Sequence, residues 1–445
     1  MPDRRSLSSL ESSITTEGPG EWSVRRLKTL CRLKSGNSIT SESIENRGLF
    51  PVYGGNGLRG FTSTWNLDGV FPLIGRVGAL CGNVHLVHGR VFASEHAVVA
   101  RPALDVCPGW LAYALRVMNL RQYSQAAAQP VLTVERIAKL SVPTPPLEEQ
   151  RLIVRYLDHA ELRIAKAIAA KTELARLLQQ QRLALLCSEV LGRDEGTDVS
   201  RDFGRLVESR VLGWVGPVPK SWDVVPMSGV FDVVKRKNIG LVEKTVLSLS
   251  YGRVVIKPAE KLRGLVPESF ETYQIIEPGD VIVRPTDLQN DTTSLRIGQA
   301  RDRGIITSAY IALRPKKHVD PDYVMMQLAA YDFLKVLYGF GSGLRQNLDF
   351  KHLKHVPMML PSLVEQSAIV SRVRAKTESV EQAHAAILQE IALLKEYRTR
   401  LISDVVTGKM DVRDEAAKLP DIDPMELATV AVGENGDDEE ATDDD

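Results

Sequence analysis

Asn56 and Arg59 stand in the segment YGGNGLRGF, whose glycines let backbone approach a ligand closely. Asn suits an adenine edge and Arg a guanine edge or a phosphate, although a tight turn needs the same residues. Arg76 joins them as a candidate. Further along, VVKRKN sets Lys235, Arg236 and Lys237 side by side, a grouping that grips phosphate more often than it specifies bases. VIVRPTDLQNDTTSLRIG holds Arg284, Gln289, Asn290 and Arg296 in a polar loop, and GFGSGLRQN puts Arg345, Gln346 and Asn347 after a glycine turn. The chemistry these residues share is hydrogen bonding and charge neutralisation toward nucleic acid, not bond making.

Residue sets that make or break bonds are missing from the sequence. There is no GxxxxGK[ST] loop, no HExxH, no GxSxG and no Asn-Pro-Pro-aromatic sequence. YGFGSG at Tyr338 resembles a glycine-rich cofactor loop only superficially, because LRQNLDF follows it where a helix should begin. Cys31, Cys81, Cys107 and Cys187 are scattered without metal spacing, which predicts reduced, mostly buried thiols. His85, His88 and His96 show no ligand spacing either. The expectation is a chain with no catalytic residue, metal or cofactor of its own.

What positions the candidates is a duplication. Shifted by 216 residues, the chain aligns with itself: Leu132 falls on Leu348, Pro145 on Pro361, Leu147 on Leu363, Glu149 on Glu365 and Gln150 on Gln366. The same register pairs Leu177 with Leu393, Arg182 with Arg398, Leu185 with Leu401 and Gly192 with Gly408. Upstream, Trp22 resembles Trp222 at an offset of 200, so the first variable segment is the shorter. A period this long is a duplicated domain, not a solenoid repeat. Each half opens with Gly-, Pro- and Val-rich sequence that reads as mainly strands, and closes with a Pro-free stretch carrying a helical apolar stripe.

The first stripe is read as Ile153, Leu157, Ala160, Ile164, Ala167, Lys171, Leu174, Leu178, Gln181 and Leu185. The second is Ile369, Val373, Lys376, Val380, Ala383, Ile387, Glu390, Leu394, Tyr397 and Leu401. Alternating steps of three and four are the coiled-coil pattern, and helices of about 40 residues would run ~60 Å. Two such stripes in one chain make an antiparallel intramolecular pair the simplest arrangement.

At 445 residues the chain suits two lobes, and no apolar run spans a membrane. The leader lacks a secretory core, which points to the cytoplasm. Net charge is zero, but residues 414–445 hold 13 acids and one base; removing them from 56 acids and 56 bases leaves 43 against 55, a net of +12. A basic body with a detachable acidic tail is compatible with phosphate binding.

Two variable lobes, each followed by PPLEEQRLIVRYLD or LPSLVEQSAIVSRVR, with FPVYGGNGLRGF in the first, GIITSAYIALRP (Gly304 to Pro315) in the second and YRTRLISDVVTGKMDV near the end, resemble the specificity subunits of type I restriction-modification systems over residues 20–413. The resemblance implies an α+β fold: two mixed α/β target recognition domains joined by two long antiparallel coiled-coil helices, a pseudo-twofold internal repeat. It divides the chain into a disordered leader (1–19), a first recognition domain (20–145), a first helix region (146–200), a second recognition domain (201–360), a second helix region (361–413) and an acidic disordered tail (414–445).

It also implies a noncatalytic subunit. Each domain would read half of a bipartite, asymmetric site in double-stranded DNA, and the helices would set the spacer. Glu149, Gln150, Glu365 and Gln366 would dock two modification (methyltransferase) subunits. S-adenosylmethionine, ATP and Mg2+ would belong to those and to the translocase-nuclease subunits. The competing readings are a DNA methyltransferase with fused recognition domains and a coiled-coil scaffold that binds no DNA.

Overall fold

The computed structural model describes residues 22–78, 80–124, 131–192, 199–200, 218–250, 252–257, 269–286, 295–337 and 348–422. The chain divides into two compact units, residues 1–170 with 390–444 and residues 171–389. Both divisions fall inside long helices, so each unit holds one lobe and half of each helix.

In the first unit, strands β1 (Ser23–Arg26), β2 (Cys31–Ser35), β3 (Phe50–Gly54), β4 (Gly57–Thr62), β5 (Leu67–Gly75), β6 (Val84–Ala93) and β7 (Ala97–Pro102) precede helix α1 (Pro108–Val117), strand β8 (Ser141–Thr144) and the long helix α2 (Leu147–Val190). Six strands form one sheet in the order β2-β7-β5-β6-β3-β4, antiparallel except where β3 meets β6. Strand β5 carries Val70, Phe71 and Ile74, residue types that a half-buried pleated surface favours. Proline at the first position of α1 presets its dihedral and lacks only an N–H that would go unbonded there. Trp110, Leu111 and Leu115 of α1 are buried against Ile74 of β5 and Ile153 and Leu157 of α2. Strand β1 pairs with β8, Ser23 opposite Thr144, and closes the lobe where α2 begins.

The second unit carries β9 (Asp223–Pro226), β10 (Phe231–Val233), β11 (Leu247–Ser250), β12 (Arg253–Ile256), β13 (Gln274–Ile276), β14 (Val281–Val283), β15 (Ile297–Gln299), β16 (Gly304–Ile306), β17 (Ile311–Pro315), α3 (Pro321–Phe333), β18 (Pro357–Leu360) and the start of the long helix α4 (Leu363–Val406). Its main sheet is β10-β17-β14-β15, beside the pairs β11–β12 and β13–β16. Strand β9 closes on β18 as β1 does on β8, Asp223 opposite Leu360. Helix α3 also opens on a proline, and its buried Tyr323 and Tyr331 donate to the carbonyls of Met359 (2.9 Å) and Pro357 (2.6 Å). The duplication thus extends through the lobes, at an offset of 200 for β1 and β9, 213 for α1 and α3, and 216 for β8 and β18.

The long helices pair antiparallel. In the second unit Arg182 meets Glu381 (2.5 Å) and Glu189 meets Arg372 (2.9 Å), one residue number rising as the other falls. In the first unit Arg398 meets Glu161, and Leu401 and Val405 of α4 join the core of Ile153 and Leu157. Both helices end at a glycine in left-handed backbone, Gly192 (φ +63°) and Gly408 (φ +75°), whose N–H caps the carbonyl three residues back.

The register of the buried stripes differs from the sequence reading. In α2 the buried residues Ile153, Ile164, Ala175 and Leu186 lie eleven apart, as do Leu157 and Ile168, while Leu174 is exposed. In α4 the inward positions are Val373, Thr377, Val380, His384, Ile387, Ile391, Leu394, Arg398 and Leu401, with Tyr397 exposed. Imposing a seven-residue apolar period on α2 drifts off its face, and in α4 hydropathy passes over the polar Thr377, His384 and Arg398.

The acidic tail is also corrected in part. Residues 414–422 are described and pack on α2: Asp421 pairs with Arg155 at 2.7 Å, and the Pro420 carbonyl meets His159 at 2.8 Å. The remainder of the tail and residues 1–21 lie outside the described residues. Among the described residues no helix is long and apolar enough to cross a membrane.

Candidate nucleic-acid interface

In the first lobe Asn56 lies exposed at the β3–β4 turn and Arg59 exposed on β4. Arg76 follows β5, and a Cβ added to the neighbouring Gly75 would lie 2.1 Å from the carbonyl oxygen of Gly55. Only glycine permits that approach, which brings the end of β5 against the turn. Arg76 is half-buried and donates to Ser35 Oγ at 3.4 Å, so part of its donor capacity is used within the lobe. Burial lowers the pKa of nearby His85, with the Arg116 charge acting in the same direction.

In the second lobe Lys235, Arg236 and Lys237 are exposed in the segment after β10. The Arg236 carbonyl accepts from Ile275 N at 2.7 Å, and Asn238 N donates to Tyr273 O at 2.9 Å, which pins the backbone to β13. Arg236 lies 3.9 Å from Glu277, an exposed pair that salt screens. Arg284 is half-buried, its N–H donating to Arg296 O. Gln289, Asn290, Arg345, Gln346 and Asn347 lie outside the described residues.

Arg296 is corrected from DNA contact to core residue. It is fully buried, its guanidinium donating to the Thr286 carbonyl at 2.5 Å and its backbone N–H to Asp332 Oδ2 at 2.7 Å. A buried guanidinium whose donors are used inside the lobe offers none to a base edge.

The four residues expected to dock partners are likewise engaged internally. Gln150 is buried; its Oε1 accepts from Cys107 N at 2.8 Å, and its Nε2 donates to Pro145 O at 2.9 Å. Gln366 repeats this, accepting from Asp320 N at 2.8 Å and donating to Pro361 O at 2.9 Å. Cys107 and Asp320 are the residues immediately before α1 and α3, so one side chain per lobe locks the lobe's helix to the first turn of a long helix. Glu365 accepts from Trp222 Nε1 at 2.9 Å, and Glu149 lies 4.0 Å from Arg413. The motif is a clamp because its amides satisfy backbone groups that the helix starts leave open.

Ionisable groups line the helix seams. Asp158 of α2 accepts from Tyr113 Oη of α1 at 2.8 Å; burial lifts its pKa to about 6 despite that bond. Glu189 is buried, which pushes its pKa up, but its contacts with Lys376 and Arg372 outweigh burial and hold it below the usual range. The cysteines are free, and burial raises Cys31 to about 12, an inert thiol. Among the described residues no group of His, Cys, Asp and Glu could hold a metal.

Sequence reasoning missed an exposed basic strip at the sheet edge, Arg32 and Lys34 on β2 and Arg101 on β7. The alternation CRLKS carried half of the signal; the position of Arg101 needed the strand register.

Two lobes of matching topology, each clamped to one of two antiparallel long helices, define a duplicated α+β protein of the two-domain, paired-helix class. Residues 19–174 match the family model for the type I restriction modification DNA specificity domain. Over that stretch the chain is similar to the specificity subunits of type I restriction-modification systems. It is 37% identical over 142 residues to the specificity subunit of the type I restriction enzyme EcoprrI of Escherichia coli, a match covering 31% of this chain and 35% of that one. A Mycoplasma pneumoniae sequence named as a type I specificity subunit is 28% identical over 30% of this chain and 45% of its own length. The chain thus matches less than half the length of these relatives. A chain solved in work on complex assembly and conformational transition of the type I R-M system has the same fold, with a TM-score of 0.53 and 14% identity over 88% of this chain and 100% of that one.

Proposed function

We propose that this chain is the noncatalytic, sequence-reading subunit of a type I restriction-modification complex acting on double-stranded DNA in the cytoplasm. Each lobe reads one half of a bipartite, asymmetric site, and the paired helices set the unread spacer. The observation that carries the reading is the repeated glutamine clamp. Lobes that differ in sequence and exposed side chains are held by the same hydrogen bonds to long helices, which is what a ruler carrying two different readers requires.

Asn56, Arg59, Arg76, Lys235, Arg236, Lys237 and Arg284 remain the DNA candidates among the described residues; Gln289, Asn290, Arg345, Gln346 and Asn347 remain candidates by sequence. Bond-making chemistry belongs to partners: two modification subunits that bind S-adenosylmethionine and methylate adenine, and restriction subunits that use ATP and Mg2+. With the EQ residues turned inward, the docking surface falls on the exposed leucines Leu177 and Leu393. These occupy equivalent positions of the repeat, so two copies of one partner meet the same side chain. Methylome sequencing of cells with and without the chain tests the reading. A bipartite adenine-methylated motif disappears on deletion; retention of every such motif sinks it.

A further inference from the structure

The duplication supplies an internal control for surface charge. Arg101 of β7 and Arg314 of β17 occupy the same place in their sheets, Arg101 opposite Arg32 of β2 and Arg314 opposite Asp232 of β10. In the second lobe Arg314 faces Asp232 across the ladder and holds Asp280 through two hydrogen bonds of 2.7 Å. In the first lobe Arg101 faces Arg32 across the ladder, and on its other side it stacks over the Phe71 ring at 5.0 Å. Neither Arg32 nor Arg101 has an acidic partner among the described residues, and with Lys28 they line a surface cleft of about 500 Å³.

Like charges placed directly opposite on an antiparallel pair destabilise it, whereas opposite charges support it. The same sheet position is therefore neutralised in one lobe and left doubly positive in the other. A ligand that brings the missing negative charge accounts for the difference. Guanidinium groups side by side match the oxygens of a phosphodiester, and the flat stack on Phe71 holds one of them in place. We propose that Arg32 and Arg101 form a DNA-backbone phosphate site belonging to the first lobe alone, which fixes that lobe on the duplex without reading bases. The proposal rests on the DNA-binding function given above.

Arg32→Asp copies the second lobe's arrangement and tests it. The full chain, with any subunit that copurifies, is titrated with a fluorescent mixed-sequence DNA duplex over a range of KCl, and its melting temperature is recorded. The expected result is a trade: the variant melts about 1–2 °C higher, while the slope of log affinity against log salt falls by about one. Arg32→Thr, which keeps a strand-forming residue, lowers the slope by the same amount. A wild-type slope that both variants retain overturns the phosphate site but leaves the DNA reading intact. An Arg32→Asp chain that melts lower than wild type overturns the site too, because the arginine pair then costs nothing. A wild-type chain whose DNA binding ignores salt removes the DNA reading itself.

Discussion

Asp158 carries a carboxyl group where α1, α2 and α4 come together, accepting from Tyr113 and lying close to Glu161, which Arg398 pairs. Burial raises its pKa to about 6 from an ordinary 3.8, so the folded state holds the proton more tightly than the unfolded state does. The sign follows: this group's contribution to stability is most favourable below pH 4 and declines as pH rises to about 6. Asp158→Asn keeps an acceptor for Tyr113 without the buried charge. It should stabilise the chain by roughly 1–2 kcal/mol at pH 7.5 and by little at pH 4. Urea melts at the two pH values decide; an equal difference at both would mean that ionisation is not the cause. Residue type alone revealed less. Arg296 and Gln150 read as surface chemistry because Arg and Gln usually are, and only partners distant in sequence, Thr286, Cys107 and Pro145, show where their donors and acceptors are used. Asn56, Arg59 and the Lys235–Lys237 run were legible because glycine turns and charge runs seldom bury such groups.

At the scale of elements, the helices, their ends and their pairing were legible because a Pro-free stretch closed by glycine repeats 216 residues on. Their inward registers were not, since α2 follows an eleven-residue period and α4 a seven-residue one that admits polar positions. The seam is ionic where Glu189 meets Arg372 and Lys376; the equivalent of Glu189 in the repeat is the buried Val405. Replacing Glu189 with Gln leaves a full-size amide but no charge for Lys376. A loss of about 1–3 kcal/mol at pH 7 is expected, shrinking as acid protonates the wild-type carboxylate. Denaturant midpoints at pH 7 and pH 3.5 measure it. The glutamine clamp works at the same scale. Gln150→Leu fills similar volume but strands the half-buried Cys107 N–H, costing about 1–3 kcal/mol and loosening α1 from the first turn of α2. If the clamp orients the lobe, methylome sequencing of the variant finds the same half-sites at spacers one base pair longer or shorter; an unchanged single spacer would reduce the clamp to a stabilising contact.

For the whole molecule, the changing offset locates where evolution altered the chain. It is 200 at the opening strands, 213 at α1 and α3, and 216 from the closing strands onward, so every insertion falls inside the lobes and none in the first turns of the long helices. A lobe is bounded by its own closure, β1 on β8 or β9 on β18, and attached through a clamp present in both halves. A graft that keeps closure and clamp together therefore moves a complete lobe, and under the proposed function a complete reader. Replacing residues 223–360 with a second copy of 23–144 preserves the antiparallel closing pair, and Gln366 still has the N–H of a transplanted Cys107 to accept from. The resulting chain should fold and direct methylation to a site whose two half-sites are the same sequence, the one now read by the first lobe, with the second half-site lost. Long-read methylome sequencing of cells carrying only this chain reads the outcome directly. Persistence of the original second half-site, in a graft that melts cooperatively, would place base reading outside the lobes and undo the modular account.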